Sequence, residues 1–519
     1  MSSPIYNEEY LSSDIEKQDP AGSHVQELEK DHSVYTTTTE VSRLSWVNRL
    51  AVRVNAETKG IDPVTENEKD DTDIMNAATM WFSSNMVISA FSLGCLGISA
   101  CGLNFGTSVL TIFFFTLLGV MPVAFFSVFG VELGLRQMVL SRFLVGNITA
   151  RLFSFMNVIA SVGWVSVNTM ASASLLHMVN PSGHNCPPWA ACLILIMCTI
   201  VVTFFGYRFI HLYEKWSWVP NFAVFLVIIA CLAKSGNFTN GPWGGGPNTA
   251  AGVLSFGSSI FGYAAGWATY AADYTVYMPR QTNKKKVFFS VVLGLGLPLL
   301  FTMTLASAAM ACTQTNKRWA ELYASHSVGG LCYAILVEDS LWGFGSFCCV
   351  LLAMSTVANN TPNMYSIALG TQAMWEPLAK IPRVFWTFVG NLAALAISIG
   401  AYYKFESFLS KFMDSIGYYI GIYIAISLPE HYIYRRGFAG YTVSDWNRWD
   451  KLPVGYAGCA ALFIGAFGVA FGMSQSYWKG EIGRHIGSGG ADIGFELGAG
   501  FAFIAYNICR PLELKYNGR

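Results

Sequence analysis

From about Trp81 almost to the C-terminus, long apolar runs nearly free of charge alternate with short polar joints. The run "TIFFFTLLGVMPVAFFSVFG", Thr111 to Gly130, carries no ionisable residue. A hydrocarbon core of ~30 Å needs ~20 apolar residues of helix to cross it. Unpaired backbone polar groups are too costly there, so each run predicts a helix. Twelve are expected, at 79–103, 107–131, 153–178, 188–206, 216–234, 253–276, 287–312, 341–366, 384–402, 411–428, 454–474 and 494–509. The pattern predicts an all-α, multi-pass (polytopic) membrane protein in contact with a lipid bilayer. Residues 1–78 are read as an N-terminal tail, 79–509 as the transmembrane body and 510–519 as a short C-terminal tail.

Composition agrees: 53% of residues are hydrophobic and 12% are charged, about half the usual charge density of a soluble chain. The zero net charge hides an asymmetry. Sixteen of the 32 acids precede Met75, against seven bases there, which leaves 16 acids and 25 bases in the body. With the N-terminus inside, cytoplasmic joints hold 15 Lys and Arg and outer joints seven. This bias predicts both termini in the cytoplasm. Residues 1–40 are polar and read as disordered, while 41–60 have the apolar spacing of a short surface helix. Asn237-Phe-Thr239 falls in an outer joint as a glycosylation acceptor or an unused sequon.

No joint is long enough for a soluble catalytic domain. The eight His are scattered, without metal-ligand spacing, and read as loop or surface residues. No cofactor, metal or nucleic-acid polymer is called for, and an enzyme is not expected.

Polar groups inside a membrane are costly and usually face an interior pathway. Span one carries Ser89 among other polar residues, with Gly94 and Gly97 at mid-span. These fit either close helix packing or local unwinding. Span three carries Trp164 and Asn168, whose i, i+4 spacing puts both on one face. Span six is interrupted at Gly262 and Gly266, with Trp267 following directly. Two glycine-broken spans at matching places in two halves point to an inverted-repeat transporter with its site at the breaks. Span eight reads "STVANNTPNMYS", with Ser355, Thr356, Asn359, Asn360, Pro362 and Asn363. Pro362 removes a backbone donor, and three amides around it suit a ligand or pathway better than packing. Indole faces stack on flat rings, and an amide offers a donor beside an acceptor. No cation lies at mid-span. The expected ligand is therefore flat, neutral and hydrogen-bonding. Two acids stand near span ends. Glu132 can pair with Arg136 at i, i+4, and Asp273 is placed at the cytoplasmic end of span six as a gate.

The segments "MWFSSNMVI", "VFGVELGLRQM", "VGWVSVNT", "YEKWSWVPNFAVF", "SFGSSIFGYAAGWATYAADYTVYMP", "NNTPNMYS", "MDSIGYYIGIYIAI", "GEIGRHIG" and "DIGFELGA" resemble those of the fungal purine-cytosine permeases, within the nucleobase-cation-symport-1 family. The resemblance runs from about residue 41 to the C-terminus. It implies a LeuT-like fold, with a first five-helix repeat over 79–234, an inverted second repeat over 253–428 and two last helices over 454–509. It also implies proton-coupled import of cytosine, adenine, guanine, hypoxanthine and 5-fluorocytosine across the plasma membrane. Carried over residue by residue, Trp164, Asn168, Trp267 and Asn363 bind substrate, with Asn359 in support. Relatives place a serine where this chain has Ala90. Ser89 stands one residue earlier, about 100° around the helix. Gly94, Gly97, Gly262, Gly266 and Pro362 mark breaks or gates. Ser355 and Thr356 match hydroxyls that hold sodium in sodium-coupled relatives, and with Glu132 and Asp273 they are the coupling candidates. The alternatives are a permease for another heteroaromatic, such as a B6 vitamer or thiamine, and a nutrient receptor that does not transport.

Overall fold

The computed structural model describes residues 60–180, 186–204 and 215–519. The expected disorder of residues 1–40 lies outside them, as does the surface helix over 41–60 apart from Gly60. Among the described residues the fold is helical, and the one β-type pairing is an isolated bridge between Ser474 and Lys479.

The helices, in order, are α1 (Ile74–Asn85), α2 (Ile88–Ser99), α3 (Phe105–Leu133), α4 (Gln137–Leu144), α5 (Asn147–Met178), α6 (Pro188–Phe204), α7 (Trp218–Ser235) and α8 (Pro247–Ala265). A tight 3-10 segment, Gly266–Tyr274, continues α8. Then come α9 (Lys284–Cys312), α10 (Lys317–Leu336), α11 (Trp342–Met374), α12 (Arg383–Ala401), α13 (Phe405–Pro429), α14 (Tyr456–Gly472) and α15 (Gly494–Asn517). Among the described residues six helical stretches, one of them running through both α12 and α13, are long and apolar enough to cross a membrane, and the bent pair α1–α2 makes a seventh. Each expected span coincides with one of these helices or with a broken pair. α4 and α10 are additional and lie between spans.

Side-chain character is inverted relative to a soluble protein. Phe113, Phe114, Leu117 and Leu118 of α3 and Phe463 and Phe467 of α14 are exposed. Asn85, Asn168, Asn359, Asn360 and Asn363 are wholly buried. Apolar rows face outward because lipid is the solvent there, and amides face inward because only the protein can pair them.

The halves pack helix against equivalent helix. α3 (span two) lies along α9 (span seven), α5 (span three) along α11 (span eight), and α6 (span four) along α12 (span nine). α2 and α8, from spans one and six, also touch. Small residues permit this closeness. A methyl on Gly94 would meet the Met303 backbone of α9 at 2.3 Å, and one on Gly262 would meet the Met413 carbonyl of α13 at 1.9 Å.

The Arg- and Lys-rich joints gather at one end. There Asn147 and Ile148 donate to the carbonyls of Pro453 and Val454. Arg435 donates to the Phe143 carbonyl, and Arg510 makes a buried two-point pair with Glu430. His431, expected at a surface, is instead buried at this end among Phe129, Phe438 and Tyr441. A π-helical turn at the end of α13 winds its ring inward.

Candidate functional site

The site forms where two helices are interrupted. α1 and α2 meet at a 57° bend across Met86 and Val87. The backbone groups freed there are taken by α11. Ser355 Oγ accepts from Ile88 N at 3.2 Å, and Asn359 Nδ2 donates to the Ser84 carbonyl. Span six breaks differently. α8 tightens at Gly266 into the 3-10 segment, and Tyr270 leaves the helical region at φ −145°.

The break in span one therefore lies before Gly94 and Gly97, which the sequence reading had placed at it. Those glycines instead let α2 meet α9 and Phe256 of α8 closely. Gly262 serves contact with α13, while Gly266 stands at the break, and a methyl there would meet the Trp164 ring at 2.8 Å. Pro362 lies inside a continuous α11 and breaks nothing.

Around these breaks lies an aromatic cluster. Trp164 and Trp267 are buried and nearly parallel, with ring centroids 6.0 Å apart and planes at 24°. Trp81 stands edge-on to Trp267 at 5.2 Å, and Tyr263 edge-on to Trp164 at 4.9 Å. A ring held between two indoles needs two van der Waals gaps, about 7–8 Å in all. The indoles must therefore part by about 1–2 Å to take a flat ring between them.

The amides are already in use on one side. Asn168 Nδ2 donates to Asn359 Oδ1 at 2.6 Å and Asn360 Oδ1 at 3.0 Å. Asn363 Nδ2 donates to the Asn359 carbonyl at 2.8 Å, and Asn363 Oδ1 accepts from Tyr270 at 2.9 Å. Ser89 shares a hydrogen bond with Tyr263 at 3.1 Å. Thr356 donates to the Asn168 carbonyl at 2.9 Å and makes a very short contact with Ser172.

Four buried polar atoms of this cluster have no partner among the described residues: Nε1 of Trp81, Trp164 and Trp267, and Oδ1 of Asn168. A buried polar group left unpaired costs about 1–3 kcal/mol. Three donors and one acceptor beside stacked indoles suit a small ring bearing several acceptors and an amino group.

The charged candidates lie apart from this cluster. Glu132 pairs with Arg280 at 2.7 Å and with Lys284, not with Arg136 as its spacing predicted. The reason is Gly134, which ends α3 in a left-handed turn and takes Arg136 off that helix face. Arg136 donates instead to the Asp273 carbonyl at 2.9 Å. Asp273 is buried at the Arg-rich end, where its carboxylate accepts from Gln137 N at 2.7 Å at the start of α4.

Trp81, Tyr263 and Tyr270 complete the cluster but were missed from sequence. Tyr263 and Tyr270 lie four before and three after Trp267, the spacing that had grouped Trp164 with Asn168. Trp81 opens an apolar run, where a Trp ordinarily reads as an interfacial anchor.

Residues 63–480 match the family model described as permease for cytosine/purines, uracil, thiamine, allantoin. The chain belongs to this permease family. It is a transporter rather than an enzyme. It is 60% identical to the purine-cytosine permease FCY2 of Saccharomyces cerevisiae, across 99% of both chains. It is 44% identical to the purine-cytosine permease fcyB of Emericella nidulans, across 98% of this chain and 99% of that one. Among solved structures, the fold is similar to Mhp1, a nucleobase-cation-symport-1 family transporter in a closed conformation with bromovinylhydantoin bound. The TM-score is 0.64 at 14% identity, covering 89% of this chain and 95% of that one. That likeness supports the fold of two inverted repeats and two further helices.

Proposed function

We propose that this permease imports purine bases and cytosine across the plasma membrane by proton-driven alternating access, with both termini in the cytoplasm. The observation that carries the reading is the set of unpaired atoms, Nε1 of Trp81, Trp164 and Trp267 and Oδ1 of Asn168, grouped in a buried and uncharged aromatic cluster. Cytosine presents ring and carbonyl acceptors and an exocyclic amino donor along the edge of a flat ring. Adenine shares the ring acceptors and the amino donor, guanine all three features, and hypoxanthine the ring and carbonyl acceptors with a ring N–H as donor. Trp164 and Trp267 part to hold the ring. Asn168 accepts from its amino or ring N–H, and Asn363, released from Tyr270, reads the opposite edge. Asn359 holds both amides in place. The printed names of the relatives support the substrate class, and the gathering of basic joints at one end supports that face as cytoplasmic.

In the cycle, base and proton bind from outside, the aromatic cluster closes, and the helices rock so that the same site faces inward. The test is uptake of radiolabelled cytosine by a permease-deficient yeast expressing the chain. Uptake should be saturable, stronger at acid external pH, abolished by an uncoupler and competed by adenine and hypoxanthine. Uptake competed by pyridoxine or thiamine but not by adenine would replace this substrate class. Binding without accumulation would mark a receptor.

A further inference from the structure

Two buried carboxylates lie outside the aromatic site and outside every coupling candidate named so far. Asp414 sits in the first half of α13, and Asp492 lies two residues before α15. They are 4% and 1% exposed. One amide nitrogen, Gln475 Nε2, donates to both, at 2.8 Å to Asp414 and 2.9 Å to Asp492. The carboxylates thus face each other across a single donor.

Among the described residues no cation pairs with them. Of the bases in the adjoining loop, Lys479 donates to the Gly489 carbonyl, while Arg484 and His485 turn to Glu481. Lys411, on the same helix as Asp414, makes no ion pair with it. The other titratable groups facing the pair are all neutral or acidic. They are Tyr418 on α13, Tyr477 in the loop, Cys101 beyond α2 and Glu496 on α15. Two desolvated like charges at this range cannot both persist, so the pair holds one proton between its members.

The hydrogen bonds say which member takes it. Asp492 accepts from Ser474 N at 2.9 Å, Gly494 N at 3.1 Å, Gln475 and the Tyr418 hydroxyl. Asp414 accepts from Ser259 Oγ at 2.6 Å and Gln475, with the Ser258 hydroxyl beside both carboxylates. Donors hold an anion, and Asp414 has the fewer close ones, so Asp414 is the member that takes the proton.

The position links this proton to the site. Ser259 lies on α8 one turn before Tyr263, which touches both Ser89 and Trp164. Met413, beside Asp414, presents its carbonyl to Gly262 of α8, and Phe412 stands edge-on to Trp164 at 5.8 Å. The pair also lies at the end of the helices opposite the Arg-rich joints, which is the outer end in the orientation proposed above.

We propose that Asp414, paired with Asp492 and held by Ser259 and Gln475, is the proton-binding site that couples this permease; the inference rests on the import function proposed above. With both carboxylates ionised, their repulsion drives α13 from α8 and from the loop between α14 and α15, and the outer side opens. A proton from external water, bound on Asp414, lets these elements close over the base. The same proton leaves to cytoplasmic water in the inward-open state, and only the Asp414 O–H bond forms and breaks. Closure then depends on proton and base together, which is a coupling free energy between two sites.

The experiment compares Asp414→Asn and Ser259→Ala with the parent chain, full length in permease-deficient yeast and normalised to surface abundance. Asp414→Asn should still exchange labelled for unlabelled cytosine. Its accumulation ratio should fall to about 1 and lose its dependence on external pH and on uncoupler. Ser259→Ala removes a close donor to Asp414, so the midpoint of the uptake profile should move. Accumulation by Asp414→Asn with the parental pH profile would overturn the proposal, and so would an unmoved midpoint in Ser259→Ala should Asp414→Asn fail to reach the surface. A parent chain that moves no nucleobase would overturn the import function and this coupling site with it.

Discussion

The two interrupted spans are built differently. Span one turns 57° within two residues, and its exposed backbone groups are met by side chains more than 250 positions away, Ser355 and Asn359 of α11. Span six stays in a 3-10 segment through its bend, and the outside partners of its backbone, Gln137 at Ala272 N and Arg136 at the Asp273 carbonyl, meet only the end of that segment. It winds into a tighter helix from Gly266 and carries its own aromatic groups, Trp267 and Tyr270, into the site. The first break is met at the bend itself by α11, and the second begins in its own winding at Gly266 and is met from outside only further along. The difference implies that damage at the partners of span one reaches the whole fold, whereas damage within span six is felt by the ligand.

The largest effect is expected at Asn359. Alanine there strands the Ser84 carbonyl and removes an acceptor from both Asn168 and Asn363. At about 1–3 kcal/mol per stranded group, most of the surface protein should be lost, with residual uptake more than tenfold down. Immunoblots of surface fractions beside cytosine uptake measure both, and normal abundance would show that the break in span one holds without α11.

A pair of glycines separates the two breaks next. Gly94→Ala presses a methyl into the Met303 backbone and should lower abundance while leaving the KM of the surviving protein unchanged. Gly266→Ala meets side chains alone, the edge of Trp164 and Cγ2 of Ile416, so abundance should hold. The KM for purines should rise about tenfold, and that for cytosine less, because the indole is pushed into the slot. Similar KM changes in the two variants would erase the distinction.

The smallest effect is expected from Tyr270→Phe, which frees Asn363 Oδ1 from one hydroxyl. A neutral hydrogen bond is worth about 1 kcal/mol, so KM should change no more than about fivefold, at unchanged abundance. A complete loss of transport would make Tyr270 part of the ligand's own contacts.

The spans were legible because twenty apolar residues in a row have few other uses. The meeting of Trp164, Trp267, Asn168 and Asn363 followed from placing polar groups on interior faces. What sequence concealed was tertiary. Glycines signal close approach as readily as unwinding, so Gly94 and Gly97 pointed one break to the wrong turn. Glu132 was matched to Arg136 by helical spacing that Gly134 cancels. Asp414 and Asp492 stood unremarked because their shared donor, Gln475, lies in a joint between the last two helices, and no local spacing unites them.

The central claim is that an uncharged slot between two indoles, with Asn168 as acceptor, holds the base. Equilibrium binding of radiolabelled cytosine to the purified full-length chain tests it most directly, beside Trp164→Ala, Trp267→Ala and Asn168→Ala. Saturable binding that adenine displaces, that anionic orotate and cytidine monophosphate do not, and that falls at least tenfold in each variant is the predicted result. Parental affinity in both Trp variants, or displacement by the anions, would contradict it.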